Sequence, residues 1–273
     1  MAPLSERPRV ASDLLRTTEA TRISVAIVSR NRPPALRRTL ASLRAQDRQP
    51  WEIVVADDSE PDFAARVLAL AQEFDCRYLR ASRHGLPANR NAAARHCRGT
   101  HVRMMDEGQA VPPRHWRHCE QAVARDPEAI WVIGECAAPW SISGGSTIYP
   151  ARLFRAGIVF CEAFACGACD LEFGSRLHRL GYRIRRLCGT DVLRSGAGDG
   201  RGAPSAAEAQ EAVAAHIFAA LAHGLRYQPT PANRLRAVAA VLRTASRGPA
   251  GRVAVRRAYR AYRTHRREVV LPR

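Results

Sequence analysis

Apolar runs alternating with helical stripes give the first outline of the chain. Ile23-Ser-Val-Ala-Ile-Val28 is continuous, apolar and rich in β-branched residues, as a strand buried on both faces requires. It ends in Ser29-Arg30-Asn31-Arg32-Pro33-Pro34, whose prolines suit the first turn of a helix, and Leu36, Leu40 and Leu43 follow at helical spacing. Trp51-Glu-Ile-Val-Val-Ala56 predicts a second buried strand, closed by Asp57-Asp58-Ser59 and followed by a helix over residues 63–74. Residues 76–79 predict a short third strand and residues 86–96 a third helix. A fourth strand, residues 101–105, stops abruptly at Asp106-Glu107-Gly108, and Pro112 and Pro113 open the next helix.

Strand and helix in alternation, joined by short connections, predict an α/β fold with a mostly parallel central sheet flanked by helices. The loops at Ser29, at Asp57-Asp58 and at Asp106-Glu107 then lie along one sheet edge, where such folds bind ligands. Each acid also has a plainer reading, as a strand-to-helix cap or a polar turn. No GxGxxG or GxxxxGK[ST] pattern is present, so neither the dinucleotide nor the P-loop fingerprint applies.

Beyond this region, Ser205 and Glu208 have the spacing of a capping box that opens a helix over residues 206–223, which Gly224 stops. A second helix over residues 233–246 carries Leu235, Val238, Ala239 and Leu242 on one side, and residues 252–267 read as a third. Charge concentrates here. All 43 basic residues are arginine, and the formal charge is +18. Residues 226–273 hold 13 arginines against Glu268 alone, a net +12, which leaves +6 (18 − 12) for the first 225 residues. Residues 1–21 read as a flexible lead-in with a short helix near residues 13–16, and residues 201–273 as a basic helical C-terminal region.

Composition, 46% hydrophobic and 25% charged, is that of a globular protein whose 273 residues can bury one sizeable core. No apolar run approaches the roughly 20 residues that span a bilayer, and no signal-like h-region is visible, so a cytoplasmic protein is expected. Eight cysteines without a signal read as reduced and mostly buried. Cys166-Gly-Ala-Cys169 is a single CxxC, with only Cys161, His178 or Cys188 as makeshift partners for zinc.

ISVAIVSRNRPPALRRTLASLRAQDRQPWEIVVADDSEPD resembles the N-terminal signature of family-2 glycosyltransferases of the GT-A fold. RHGLPANRNAAARHCRGTHVRMMDEG is similar to that family's next segment, which leads into its acidic DxD loop, and CDLEFGSRLHRLGYRI resembles the element that carries the catalytic base. The resemblance covers about residues 22–200, taken as the glycosyltransferase domain. It implies inverting transfer of a sugar from a nucleotide diphosphate sugar to a hydroxyl acceptor. Carried over, Asp58 matches the acid that reads the base, with Asp57, Ser29 and Asn31 about the same pocket. Arg90 and Asp106 fall near the diphosphate, Asp170 at the base position and Glu172 at the second acid of its element.

The departures carry equal weight. Gly108 replaces the last acid of the DxD loop, Cys169 replaces the glutamate before the base, and Arg194 stands where many relatives supply a metal-binding histidine. Three readings stay open at this stage. Asp106 and Glu107 hold a divalent cation, Mg or Mn, in shifted register; or Arg90 or Arg194 clamps the diphosphate without metal; or the domain is catalytically impaired and binds a nucleotide or serves as a scaffold. For the basic tail, relatives with lipid-linked acceptors favour an anionic membrane surface over nucleic acid, beside the plainer reading of an arginine-rich face packed on the domain.

Overall fold

The computed structural model describes residues 20–134, 138–165, 167–190, 192–194, 205–269 and 271, with Arg194 described by its backbone. Residues 1–19 with the short helix expected there, Cys166, the side chain of Arg194 and the boundary near residue 200 lie outside the described residues.

The chain runs β1 (Ile23–Ser29), α1 (Pro33–Arg44), β2 (Glu52–Asp57), α2 (Pro61–Glu73), β3 (Arg77–Arg80), α3 (Leu86–His96) and β4 (His101–Asp106). Then come β5 (Gln109–Ala110), α4 (His115–Arg125), β6 (Ile130–Ile133), β7 (Ser146–Pro150), α5 (Ala151–Arg155) and α6 (Cys169–Arg179). After β8 (Ile184–Leu187) and β9 (Leu193–Arg194) the chain turns helical: α7 (Ala206–Ala222), a π-turn (His223–Tyr227), α8 (Pro231–Ala245) and α9 (Pro249–Glu268). Seven strands form one sheet in the order β3-β2-β1-β4-β7-β6-β8. Pairing is parallel except at β7, which runs antiparallel to both β4 and β6. The mostly parallel α/β sheet expected from the sequence is therefore present, with one reversed strand inserted beside β4.

Both faces of the sheet are covered, which is why β1 and β2 read as unbroken apolar runs. Leu36, Leu40 and Leu43 of α1 and Trp116 and Val123 of α4 pack on one face, and Ala93 of α3 and Phe160 and Phe173 pack on the other. A third cluster joins the C-terminal helices, with Phe218, Tyr227, Ala258 and Tyr262 around Phe164. The Ser205–Glu208 capping box forms as the sequence predicts.

The α8 helix starts two residues earlier than its periodicity suggested, because Thr230 caps it by accepting from the Asn233 backbone N–H. Its large apolar residues face outward. Leu235 is 70% exposed and Leu242 64%, while the buried side consists of Asn233, Ala237 and Thr244. Close approach explains the inversion. A Cβ added at Gly224 would stand 2.5 Å from the Asn233 carbonyl oxygen, and one at Gly251 would overlap that of Thr244. Backbones this near leave room only for small side chains in the seam. The α9 helix follows the same rule, burying Gly251, Ala254, Ala258, Tyr262 and His265 while its arginines face solvent.

Candidate active site

Register brings the predicted residues together. Ser29 pairs with Asp57 across β1 and β2, and Val28 pairs with Asp106 across β1 and β4, so the three strand ends share one edge. The loops there are tied to each other. The Asp58 N–H donates to the Ser29 carbonyl at 2.8 Å, the Asn31 N–H to the Ser59 hydroxyl at 2.8 Å, and the Glu60 N–H to Asn31 Oδ1 at 2.7 Å. Asn31 adopts a φ of 61°, a left-handed conformation that asparagine tolerates.

The two adjacent acids of the β2 loop have different fates. Asp57 is fully buried and its oxygens are occupied: Oδ1 accepts from the Ser59 N–H, and Oδ2 from the Tyr78 hydroxyl and Arg80. Asp58 is 4% exposed, and its Oδ1 has no hydrogen-bond partner. Asn89, at the start of α3, likewise gives its amide to the Ala56 carbonyl while its Oδ1 stays unpaired. Buried acceptors without donors are costly unless a ligand supplies the donors. The edge of β1 and β2 therefore carries two buried acceptors whose donors are still to be supplied.

Arg90 occupies the centre. Its Nη2 donates to Asp106 Oδ1 at 3.0 Å and Oδ2 at 3.2 Å, and its Nη1 donates to Asp170 Oδ1 at 2.8 Å. The arginine side chain is 3% exposed, whereas Asp106 is 28% and Asp170 36% exposed. Burial alone would lower the guanidinium pKa, but the charges of Asp106 and Asp170 outweigh it and push it above the ordinary arginine value. Thus β4, α3 and α6 each contribute one charged group to a single cluster. Asp170 lies in the first turn of α6 rather than at its cap, which is Ala168.

The Gly144–Gly145 loop is pinned over this cluster. The Gly144 N–H donates to Asp170 Oδ2 at 2.9 Å. A Cβ at Gly144 would lie 2.2 Å from Arg90 Nη1, and one at Gly145 would lie 2.2 Å from Asp106 Oδ2. Only glycine lets the backbone come this close. Sequence reasoning missed both residues, although two adjacent glycines before a strand were a visible signal. It also missed Asn91, which anchors Phe160 and Glu162 through three hydrogen bonds. The signal there was Asn89-Arg90-Asn91, three polar residues in an alanine-rich helix, all buried.

Within the described residues the two acids of this loop take separate partners. Glu107 sits apart from the Asp106 cluster: its Oε2 accepts from the Arg30 N–H at 2.8 Å and its Oε1 lies 3.8 Å from Arg32. Burial pushes Glu107 up to about 7. Gly108 takes a φ of 80°, a conformation that glycine adopts without steric cost. Among the described residues no group of three or more His, Cys, Asp or Glu is placed to hold a metal ion. The guanidinium of Arg90 stands between Asp106 and Asp170.

A second network runs from the same helix in the opposite direction. Glu172 is fully buried and accepts from Arg176 Nε at 2.8 Å and from the Tyr227 hydroxyl at 2.9 Å, with His265 Nε2 at 3.0 Å. Burial would raise its pKa, but the charge of Arg176 and the bonds from His265 and Arg176 bring it down to about 2. Of the acids carried over by resemblance, Glu172 thus faces the C-terminal helices and away from the sheet edge.

A mostly parallel α/β sheet with a charged cluster and a glycine loop along one edge is the arrangement of the GT-A fold. Residues 24–144 match the model of the family described as glycosyl transferase family 2, so the resemblance read from sequence stands over that segment. Among solved structures, the chain is similar to the mannosyltransferase PcManGT from Pyrobaculum calidifontis in complex with GDP-Man and Mn2+ (TM-score 0.57, 19% identity, 93% of this chain and 78% of that one). It is also similar to S. aureus TarS 1-349 in complex with UDP-GlcNAc (TM-score 0.56, 14% identity, 91% and 92%). A third is GalNAc-T7 with UDP, GalNAc and Mn2+ (TM-score 0.60, 15% identity), where 72% of this chain spans about half, 48%, of that one. No curated protein matches the sequence.

Proposed function

We propose that the chain transfers a sugar from a nucleoside diphosphate sugar to a hydroxyl acceptor with inversion, Asp170 acting as the general base. The observation that carries this reading is the bridge from Asp106 through Arg90 to Asp170, beside the unpaired acceptors of Asp58 and Asn89. The base of the nucleotide docks against Asp58 and Asn89, with Ser29 and Asn31 shaping the pocket wall. The diphosphate follows toward Arg90. The acceptor oxygen then attacks the anomeric carbon while the bond from that carbon to the diphosphate breaks. The electron pair leaves with the phosphate oxygen, and the acceptor proton goes to Asp170, a transfer worth roughly 10²–10⁴-fold.

Developing charge on the leaving diphosphate needs a cation or fixed donors. Mn2+ is present in the PcManGT and GalNAc-T7 structures. In this chain Asp106 is engaged by Arg90 and Glu107 by the Arg30 backbone, so the described residues do not fit a divalent ion's need for several oxygens. Arg90 takes that role here, exchanging its acid partners for phosphate oxygens, for which a planar fork of donors is well shaped. Donor hydrolysis and transfer across a panel of UDP- and GDP-sugars, with EDTA or with added Mn2+, test both claims. Turnover unchanged by EDTA is expected. Turnover abolished by EDTA and restored by Mn2+ overturns the arginine reading, and absence of binding and turnover with every donor overturns the enzyme.

A further inference from the structure

The α8 helix presents an apolar stripe to solvent on the side opposite its packed face. Leu235, Val238 and Leu242 are 70%, 49% and 64% exposed, and their i, i+3, i+7 spacing places them in one row. On the same helical wheel Arg234 borders the row on one side, Arg243 and Arg236 lie beyond Ala239 on the other, and Arg247 follows just past the helix end. On the arginine side an open groove of about 350 Å3 lies between α7 and α8. Its floor is apolar (Val213, Ile217, Ala240), and His216, Arg243 and Arg247 stand around it.

We infer that this face of α8 is a docking surface for an anionic lipid bilayer. The leucines enter the boundary between headgroups and acyl chains, and the bordering arginines meet lipid phosphates, the division of labour of an interfacial amphipathic helix. The groove suits one phosphate together with the first carbons of its chain. Charge argues against a second copy of the protein as the occupant, because residues 226–267 contain arginines and no acid, and two such faces would oppose like charges. Area argues the same way: three side chains bury far less than the roughly 800 Å2 per partner of a stable interface. Nucleic acid would use the arginines but leave the leucines in water.

Flotation of the full chain tests this on phosphatidylcholine vesicles with and without phosphatidylglycerol, alongside gel filtration. Wild type is expected to float with the anionic vesicles at least about tenfold better than with the neutral ones, and less so at high salt. Leu235→Ser with Leu242→Ser should lower partitioning roughly a hundredfold without changing donor turnover. Arg243→Gln with Arg247→Gln should cost about fivefold per charge, on anionic vesicles only. Wild type that does not float, or the double serine variant floating like wild type, overturns the inference. So does a dimer that the serine variant dissolves while flotation is absent.

Discussion

Two arginine–carboxylate networks meet on α6, two residues apart, and they are built for opposite purposes. Around Asp170 the arginine is buried and the acids are open: Arg90 is 3% exposed and Asp170 36%. Around Glu172 everything is closed, with the acid fully buried and Arg176 6% exposed. An open acid can be approached by another molecule. A closed one with three side-chain partners can only hold the structure together. The position of a carboxylate along a motif therefore says less about its task than which face of the helix it occupies, and residues two apart on a helix face different ways.

Substitutions can break this contrast. Asp170→Asn should lower transfer roughly 10²–10⁴-fold and move stability by at most about 1 kcal/mol, read by steady-state kinetics and urea unfolding on the same preparation. Glu172→Gln should do the reverse. Removing one partner of a buried ion pair costs about 3–5 kcal/mol, while turnover per folded molecule stays near wild type. Equal rate losses in the two variants would dissolve the distinction. Arg90→Lys keeps the charge but loses the fork between two acids, so kcat/KM should fall about tenfold or more with a smaller loss of stability.

The smallest effect is a pH dependence that contrasts Glu172 with Glu107. Glu172 is lowered from 4.5 to about 2, so its contribution is present above 4.5 and is lost as pH falls toward 2. Glu107 is raised from 4.5 to about 7, so its contribution is present below 4.5 and is lost as pH rises through 7. His115 sharpens the acid side. Burial and Arg103 lower it from 6.5 to about 3, and the unfolded chain therefore takes up a proton first as pH drops below 6.5. Urea midpoints between pH 4 and 8 should rise with pH more steeply in Glu107→Gln than in wild type. A profile identical to wild type would show that Glu107 titrates alike folded and unfolded.

Much of the site was legible because it depends on local pattern. Buried runs that stop in acids fixed the strand ends, and parallel pairing then aligned Ser29, Asp58 and Asp106 without further information. Asp170 and Arg90 were found through motif resemblance, but their direct contact was not, since 80 residues separate them. Gly144 and Gly145 gave no sign of their place because sequence does not report what a backbone is pressed against. The stripe on α8 was visible as a stripe. Its direction was hidden because the glycines that set it, Gly224 and Gly251, lie outside the helix and act only once the helices meet.

The Glu172 network also orders events in time. The His265 ring that closes it lies 93 residues downstream, in the last helix described. During synthesis the sheet and α6 are complete while the Tyr227 and His265 partners are still to come. Until they arrive, Glu172 has only Arg176, and the helix bearing Asp170 is left with an acid either solvated or poorly compensated. A chain cut short before His265 would leave Glu172 without that partner and carry Asp170 on an unfinished helix.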